Sequence, residues 1–445
     1  MTQAPTAEKA APRRHDREIL TLAVPAFGAL VAEPLFVMAD SAIVGHLGTP
    51  QLAGLGIAAA LLTTAVSVFV FLAYATTAAV ARRVGAGDLR AAIRQGMDGI
   101  WLALLLGAAV VAAVLPGAPR LVSLFGASDT VAPYAETYLR ISSLGIPAML
   151  VVLAATGVIR GLQDTRTPLY VAIGGFALNG ALNVALVYGA GFGIAGSAWG
   201  TVIAQCAMAA AYLLVVVRGA RRHRASLRPD AAGIRACARA GVPLLVRTLS
   251  LRAILLIATA VAARLGDADI AAHQILLSLW SLLAFALDAI AIAGQAIIGR
   301  YLGAGDSAGA KAVCRRMVQW GIGTGLVLGL LVVLARPVFI PLFTGDPAVE
   351  DALLPGLLVV ALAQPVCGIV FVLDGVLMGA GDGRYLAGAM LLTLAVFTPA
   401  ALLVPALGGG LTALWWAMTL MMLVRMVTLQ LRARSGRWLV TGATR

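Results

Sequence analysis

The sequence predicts an all-α polytopic membrane protein, with twelve transmembrane helices in two parallel-repeat six-helix bundles. Three observations predict it. Of the 445 residues, 61% are hydrophobic and 12% charged, and the mean hydropathy is +0.94. Soluble domains carry about 25% charged residues, so this chain has too little polar surface for water. The apolar residues also come in runs of about 20, the length at which a helix crosses the ~30 Å hydrocarbon layer. A transmembrane β-barrel would show short alternating segments instead. Finally, the chain repeats itself at an offset of 218 residues.

The repeat is carried by residues that generic apolar sequence would not keep in register. Pro25 meets Pro243, Leu47-Gly48 meets Leu265-Gly266, and Leu124-Phe125 meets Leu342-Phe343. Gly85-Ala86-Gly87-Asp88 meets Gly303-Ala304-Gly305-Asp306, and Pro147, Gly161 and Asp164 meet Pro365, Gly379 and Asp382. Each half holds six spans, so both insert with the same orientation, a parallel repeat about an axis along the membrane normal. The GAGD segments read as helix punctuation, with glycines ending one helix and an aspartate capping the next.

Hydropathy places the spans near 19–45, 52–80, 96–115, 137–160, 168–190, 194–217, 239–263, 270–299, 316–335, 352–379, 385–405 and 409–431. Arginines and lysines collect on one side of them, at Arg13, Arg82, Arg160, Arg218, Arg300 and Arg384 among others. The other side receives Arg120, Arg140, Arg264 and Arg336. By the positive-inside rule the basic side is cytoplasmic. The expectation is a multi-pass protein of the inner or plasma membrane with both termini inside. Residues 1–18 and 432–445 read as cytoplasmic tails, the first of them disordered. Residues 19–217 form an N-terminal lobe, 218–238 a basic linker and 239–431 a C-terminal lobe. The polar N-terminus lacks the features of a cleaved signal peptide, so the first span reads as an uncleaved anchor.

Several function classes drop out. A formal charge of +13 suggests nucleic acid, but the charges sit in short loops between spans, so no nucleic-acid partner is expected. The four cysteines have no metal spacing, and Cys206 and Cys367 lie in apolar runs as packing residues. His15, His46, His223 and His273 lie at or beyond span ends without paired spacing. No cofactor, metal or enzymatic activity is expected. Gly191 to Gly196 matches G-x-G-x-x-G, yet it sits between two spans with no strand before it.

Ionisable residues inside a membrane are expensive and mark function by default. Asp40 lies in the first span and Asn179 and Asn183 in the fifth, while Thr201 lies in the first turns of the sixth. All four fall at similar depth in the outer part of the first repeat. The repeat mates of Asp40, Asn179 and Asn183 are Ala258, Phe397 and Ala401, so the feature belongs to one half only. Burial makes the charged form of an acid costly, so Asp40 is suited to exchange a proton; the same oxygens would also suit Na⁺. Glu33, seven residues earlier on roughly the same face, is a second proton stop or a partner for a carbonyl freed by Pro34. Pro25 and Pro34 are candidate bending points. In the second repeat Asp288 and Arg252 share a depth on adjacent antiparallel spans. The reading is an Arg252–Asp288 ion pair extended by Arg247 and Gln295, acting as staple, latch or substrate contact.

The chain resembles the multidrug and toxic-compound extrusion (MATE) family, in its DinF-like branch. The resemblance rests on LAVPAFGALVAEPLFVMADSAIVGHLG, LNGALNVALVYGAGFGIAGSAWGT, RLGDADIAAHQ and AFALDAIAIAGQA, and it covers 19–431. It implies a twelve-helix, V-shaped antiporter exporting organic, often cationic, compounds against inward H⁺ or Na⁺; the expected partners are a small organic, cationic or amphipathic substrate and membrane lipids, with the chain as a monomer. The family's first-span acid falls on Asp40, its bending proline on Pro25 and its polar pair on Asn179 and Asn183. Relatives often carry Asp where this chain has Asn183, a departure that favours protons over Na⁺. Asp288 matches a signature of the branch, and Gln295 stands where relatives often have Glu. A lipid-linked precursor flippase of the same superfamily is the alternative; those proteins usually have fourteen spans and a strongly basic cavity.

Overall fold

The computed structural model describes residues 7–444, without the side chains of 7–14, 33, 35–39 and 42. With no water in hydrocarbon, backbone groups must bond within their own segment, and the described chain is helical with no strand. In the first repeat α1 spans Ala7–Gly45, α2 Thr49–Val68, α3 Phe71–Gly85, α4 Leu89–Leu124 and α5 Ala132–Ser143. It continues with α6 at Ile146–Gly161, α7 at Arg166–Val184, a π-helical turn at Ala185–Gly189 and α8 at Gly193–Arg222. The second repeat comprises α9 Ala231–Leu265, α10 Asp267–Gly303, α11 Ser307–Phe343, α12 Pro347–Gly379, α13 Gly383–Ala406 and α14 Leu411–Ser435.

Ten of the described spans are long and apolar enough to cross a membrane, and α5 with α6 make an eleventh, bent by 48°. With α1, part of whose side chains lies outside the described ones, the total is the expected twelve. The offset of 218 is visible in the helix ends. α2 and α10 start at mates Thr49 and Asp267, α4 and α11 at Leu89 and Ser307, and α8 and α14 at Gly193 and Leu411. The GAGD segments do what their chemistry predicts. Gly87 and Gly305 take the same left-handed φ of 80°, and Asp88 and Asp306 accept hydrogen bonds from the N–H groups of Ala91 and Gly309 at 2.8 and 2.7 Å.

Packing follows small residues, because lipid tails give helices no hydrophobic reason to associate. Gly157 and Gly161 of α6 lie against Thr76 and Val80 of α3, and their mates Gly375 and Gly379 of α12 lie against Ala291 and Gln295 of α10. A methyl group at any of the four would overlap its neighbour.

The span expected at 52–80 is one span, Thr49–Gly85, whose helix is interrupted by a turn at Phe69-Val70 between α2 and α3. Two expectations change. The stretch expected as a disordered tail is helical from Ala7. Cys206, expected to be a packing residue, is exposed, whereas Cys367 is buried. The C-terminal stretch folds back: buried Trp438 donates to the Ala433 carbonyl at 2.9 Å, and the Gly442 N–H reaches the Leu302 carbonyl at 3.0 Å. The chain divides into two compact units, one holding α1 up to Phe27 together with Val242–Ala443, the other Gly28–Gly241.

Candidate functional site

The site is built in the unit of the first repeat, where α1, α5, α7 and α8 each contribute a side chain. Asp40 of α1 is 8% exposed. Its Oδ1 accepts from the Asn183 side-chain amide at 2.5 Å and from the Ser197 hydroxyl at 2.9 Å. Among the described residues its Oδ2 meets only the Tyr138 hydroxyl, at 3.5 Å, beyond the usual range for such a bond. Ser197, Asn183 and Tyr138 are all buried. Asn179, one turn from Asn183 on α7, donates instead to Thr201 of α8 at 3.1 Å. The Oδ1 atoms of Asn179 and Asn183 are buried without a hydrogen-bond partner among the described residues.

Local structure sets this geometry. Asn183 is the last residue but one of α7, and the π turn begins two residues later; π insertions in helices often sit at functional sites. Gly196, at the start of α8, is pressed against the Leu186 carbonyl of that turn. This brings Ser197 and Thr201, one helical turn apart, level with Asn183 and Asn179. Tyr188 in the turn also donates to the Ile43 carbonyl of α1 at 2.6 Å.

Of the sequence candidates, Asp40 and Asn183 meet directly, and Asn179 and Thr201 pair beside them. Pro25 and Pro34 are half-buried within an uninterrupted α1. The Glu33 side chain lies outside the described residues. Ser197 and Tyr138 were missed. Ser197 had a signal, since it lies four residues before Thr201 on the same helical face; Tyr138 had none.

The polar network of the second repeat differs from the sequence reading. Arg252 is exposed and does not form the expected pair with half-buried Asp288. The buried acid that holds arginine here is Asp374 of α12. It accepts from Arg247 Nε at 3.2 Å, from Arg247 Nη2, and from Arg425 Nη2 at 3.0 Å. All three residues are buried. Arg252 follows Arg247 by five residues, or about 140° around the helix, so matching depth did not fix the face. Gln295 is buried with its side-chain nitrogen unpartnered. Asp374 and Arg425 were missed although each is a lone charge in an apolar run, the signal that exposes intramembrane function.

Known proteins place this architecture. The MatE family model matches residues 25–185 and again 243–403, two matches separated by the same 218 positions. The DNA damage-inducible protein F of Escherichia coli K12 is 30% identical, over 95% of this chain and 94% of its own. The Arabidopsis thaliana Protein DETOXIFICATION 44, chloroplastic, is 32% identical over 95% of this chain and 83% of its own. Among solved structures, the Vibrio cholerae MATE transporter VcmN in the bent form superposes with a TM-score of 0.87 at 21% identity, covering 97% of this chain and 99% of that one. The chain belongs to the MatE family of multidrug efflux transporters.

Proposed function

We propose that this protein is a secondary antiporter of the cell membrane, exporting small organic cations or amphipathic compounds in exchange for protons that enter at Asp40. The observation that carries the reading is the asymmetry of the Asp40 carboxylate. Among the described residues Oδ1 is taken by two short donors, Oδ2 has only the distant Tyr138 hydroxyl, and each bonded partner is neutral. An acid pinned by arginine would keep its charge; one held by an amide and hydroxyls changes it without leaving a buried cation unpaired. A proton arriving from outside binds Oδ2, where the neutral acid donates toward Tyr138. Loss of the negative charge weakens the charge-assisted bonds to Asn183 and Ser197. α1 then shifts against α7 and α8, bending at Pro25 or Pro34, and substrate is released.

A second coupling ion has its own support. The unpartnered Oδ1 atoms of Asn179 and Asn183, with Asp40 and Thr201, form the all-oxygen donor set that a hard cation such as Na⁺ prefers. A single carboxylate at this level favours the proton. Purified protein in proteoliposomes tests both, with efflux of a cationic dye measured under separately imposed H⁺ and Na⁺ gradients. Efflux should follow the pH gradient and fall to the background of empty vesicles in Asp40→Asn. Full proton-driven efflux by that variant, at normal incorporation, overturns the assignment; dependence on Na⁺ alone replaces the proton with sodium.

A further inference from the structure

Each repeat's first helix begins in the unit of the other repeat. α1 belongs up to Phe27 to the unit of the second repeat, and α9 belongs up to Gly241 to the unit of the first. The changeovers fall beside Pro25 and Pro243, which are repeat mates. A proline inside a helix leaves the carbonyl four residues earlier without its N–H partner, so both helices are weakest where they change unit.

The two arms are docked in matching ways. On the α1 arm, Asp16 accepts from Arg316 Nε and Nη2 of α11 at 2.6 and 2.8 Å and from the Trp320 indole at 2.8 Å. Glu18 pairs with Arg300 of α10. On the α9 arm, Asp230, immediately before the helix, pairs with Arg94 of α4 at 2.9 Å. The Trp101 indole, also on α4, donates to the Leu227 carbonyl at 3.1 Å, and Gln95 donates to Cys237 at 3.0 Å. α4 and α11 are themselves repeat mates, so each repeat presents an arginine and a tryptophan on the same helix to the arm of the other, which brings the acid.

We propose that the exchanged arms are a pair of latches, each holding the start of one repeat's first helix on the unit of the other repeat, and that opening the α1 clasp is a step of the transport cycle. Two continuous helices pass from one unit into the other, so a relative movement of the units has to bend them at their prolines or lift an arm. The clasps suit reversible opening. Their side chains are partly solvent-exposed, at 35% and 23% for Arg316 and Asp16 and 54% and 36% for Arg94 and Asp230, and exposed pairs are weak enough to break thermally. The α1 clasp, with a bidentate guanidinium and an indole on one carboxylate, is the stronger of the two.

The test is pulsed electron paramagnetic resonance between spin labels at Asp129→Cys and Ala348→Cys, exposed sites in different units, in full-length protein with exposed Cys206 replaced by Ala. It reads conformation without transport, so its outcome is independent of the Asp40 assignment. Asp16→Asn should raise the ratio of a second distance population by roughly three- to tenfold, the scale of losing one charge-assisted network. Asp16→Arg should do so further, the exchange Asp16→Arg with Arg316→Asp should restore the original distribution, and Asp230→Asn should have a smaller effect. An unchanged distribution in both single Asp16 variants, each eluting as a monodisperse peak, overturns the proposal. So does a shift that the charge exchange fails to reverse, which would mark local disruption instead of a latch.

Discussion

The same position in the two repeats has been put to opposite uses. In the first, α1, α5, α7 and α8 present Asp40, Tyr138, Asn179, Asn183 and Ser197. In the second, the mates are Ala258, Gly356, Phe397, Ala401 and Trp415, all buried. An apolar plug of one tryptophan and one phenylalanine occupies the place of the polar nest. The charge of the second repeat lies elsewhere, on Asp374 between Arg247 and Arg425, whose own mates are Thr156, Ala29 and Ala207. The helices differ in kind too. α2 and α3 are separated at Phe69-Val70 and α5 meets α6 at 48°, while the corresponding α10 and α12 are continuous. One bundle has broken helices around an acid with neutral partners; the other has whole helices around an acid with fixed ones. Duplication supplied two scaffolds, and divergence left a buried acid among neutral partners in one and among arginines in the other.

The contrast is broken most directly at the two acids. Asp374→Ala strands two buried guanidinium groups, and removing one partner of a buried ion pair costs roughly 3–5 kcal/mol. Asp40→Asn removes no counter-ion and keeps the side chain's shape, so its unfolding free energy should stay within about 1 kcal/mol of the parent. Thermal or steric-trap unfolding in detergent checks both. Equal losses at the two positions would mean that Asp40 is held by charge as well, and the division between a fixed and a switchable acid would fail.

A second comparison is between Ser197 and its mate Trp415. Trp415 packs on the His273 ring with centroids 5.7 Å apart. Trp415→Ala empties a large buried volume and should cost roughly 3–5 kcal/mol. Ser197→Ala removes one hydrogen bond to Asp40 and should cost about 1 kcal/mol. It should also slow proton-driven efflux, whereas Trp415→Ala acts on stability first. Efflux per correctly folded molecule separates the two effects.

Much of this was legible in the chain itself. Span number, the repeat and its register follow from hydropathy and from Gly, Pro and Asp landmarks, because both are one-dimensional signals. Asp40, Asn183, Asn179 and Thr201 could be gathered because depth along a span is countable. Azimuth was not countable across different helices. Arg252 shares a depth with Asp288 but is exposed, and the arginine held in a buried pair is Arg247, on Asp374. The break at Phe69-Val70 carries neither glycine nor proline to announce it. Tyr138 reaches Asp40 from α5, ahead of the α5–α6 bend, so its role depends on tertiary placement that no local pattern encodes.

The smallest prediction concerns what the repeats still share. Asp88 and Asp306 cap α4 and α11 with near-identical geometry, each behind a glycine at φ 80°. Replacing an N-cap aspartate with alanine typically costs about 1 kcal/mol. Asp88→Ala and Asp306→Ala should therefore lower stability by similar amounts, and neither should change the pH dependence of efflux. Both caps lie in short exposed turns between helices, far in sequence from the residues by which the repeats differ. If one variant proved several-fold more damaging than the other, divergence would reach the punctuation of the helices. The polar nest at Asp40 would then be one consequence of a wider reshaping of the first bundle, and no longer a local exchange of side chains on a conserved frame.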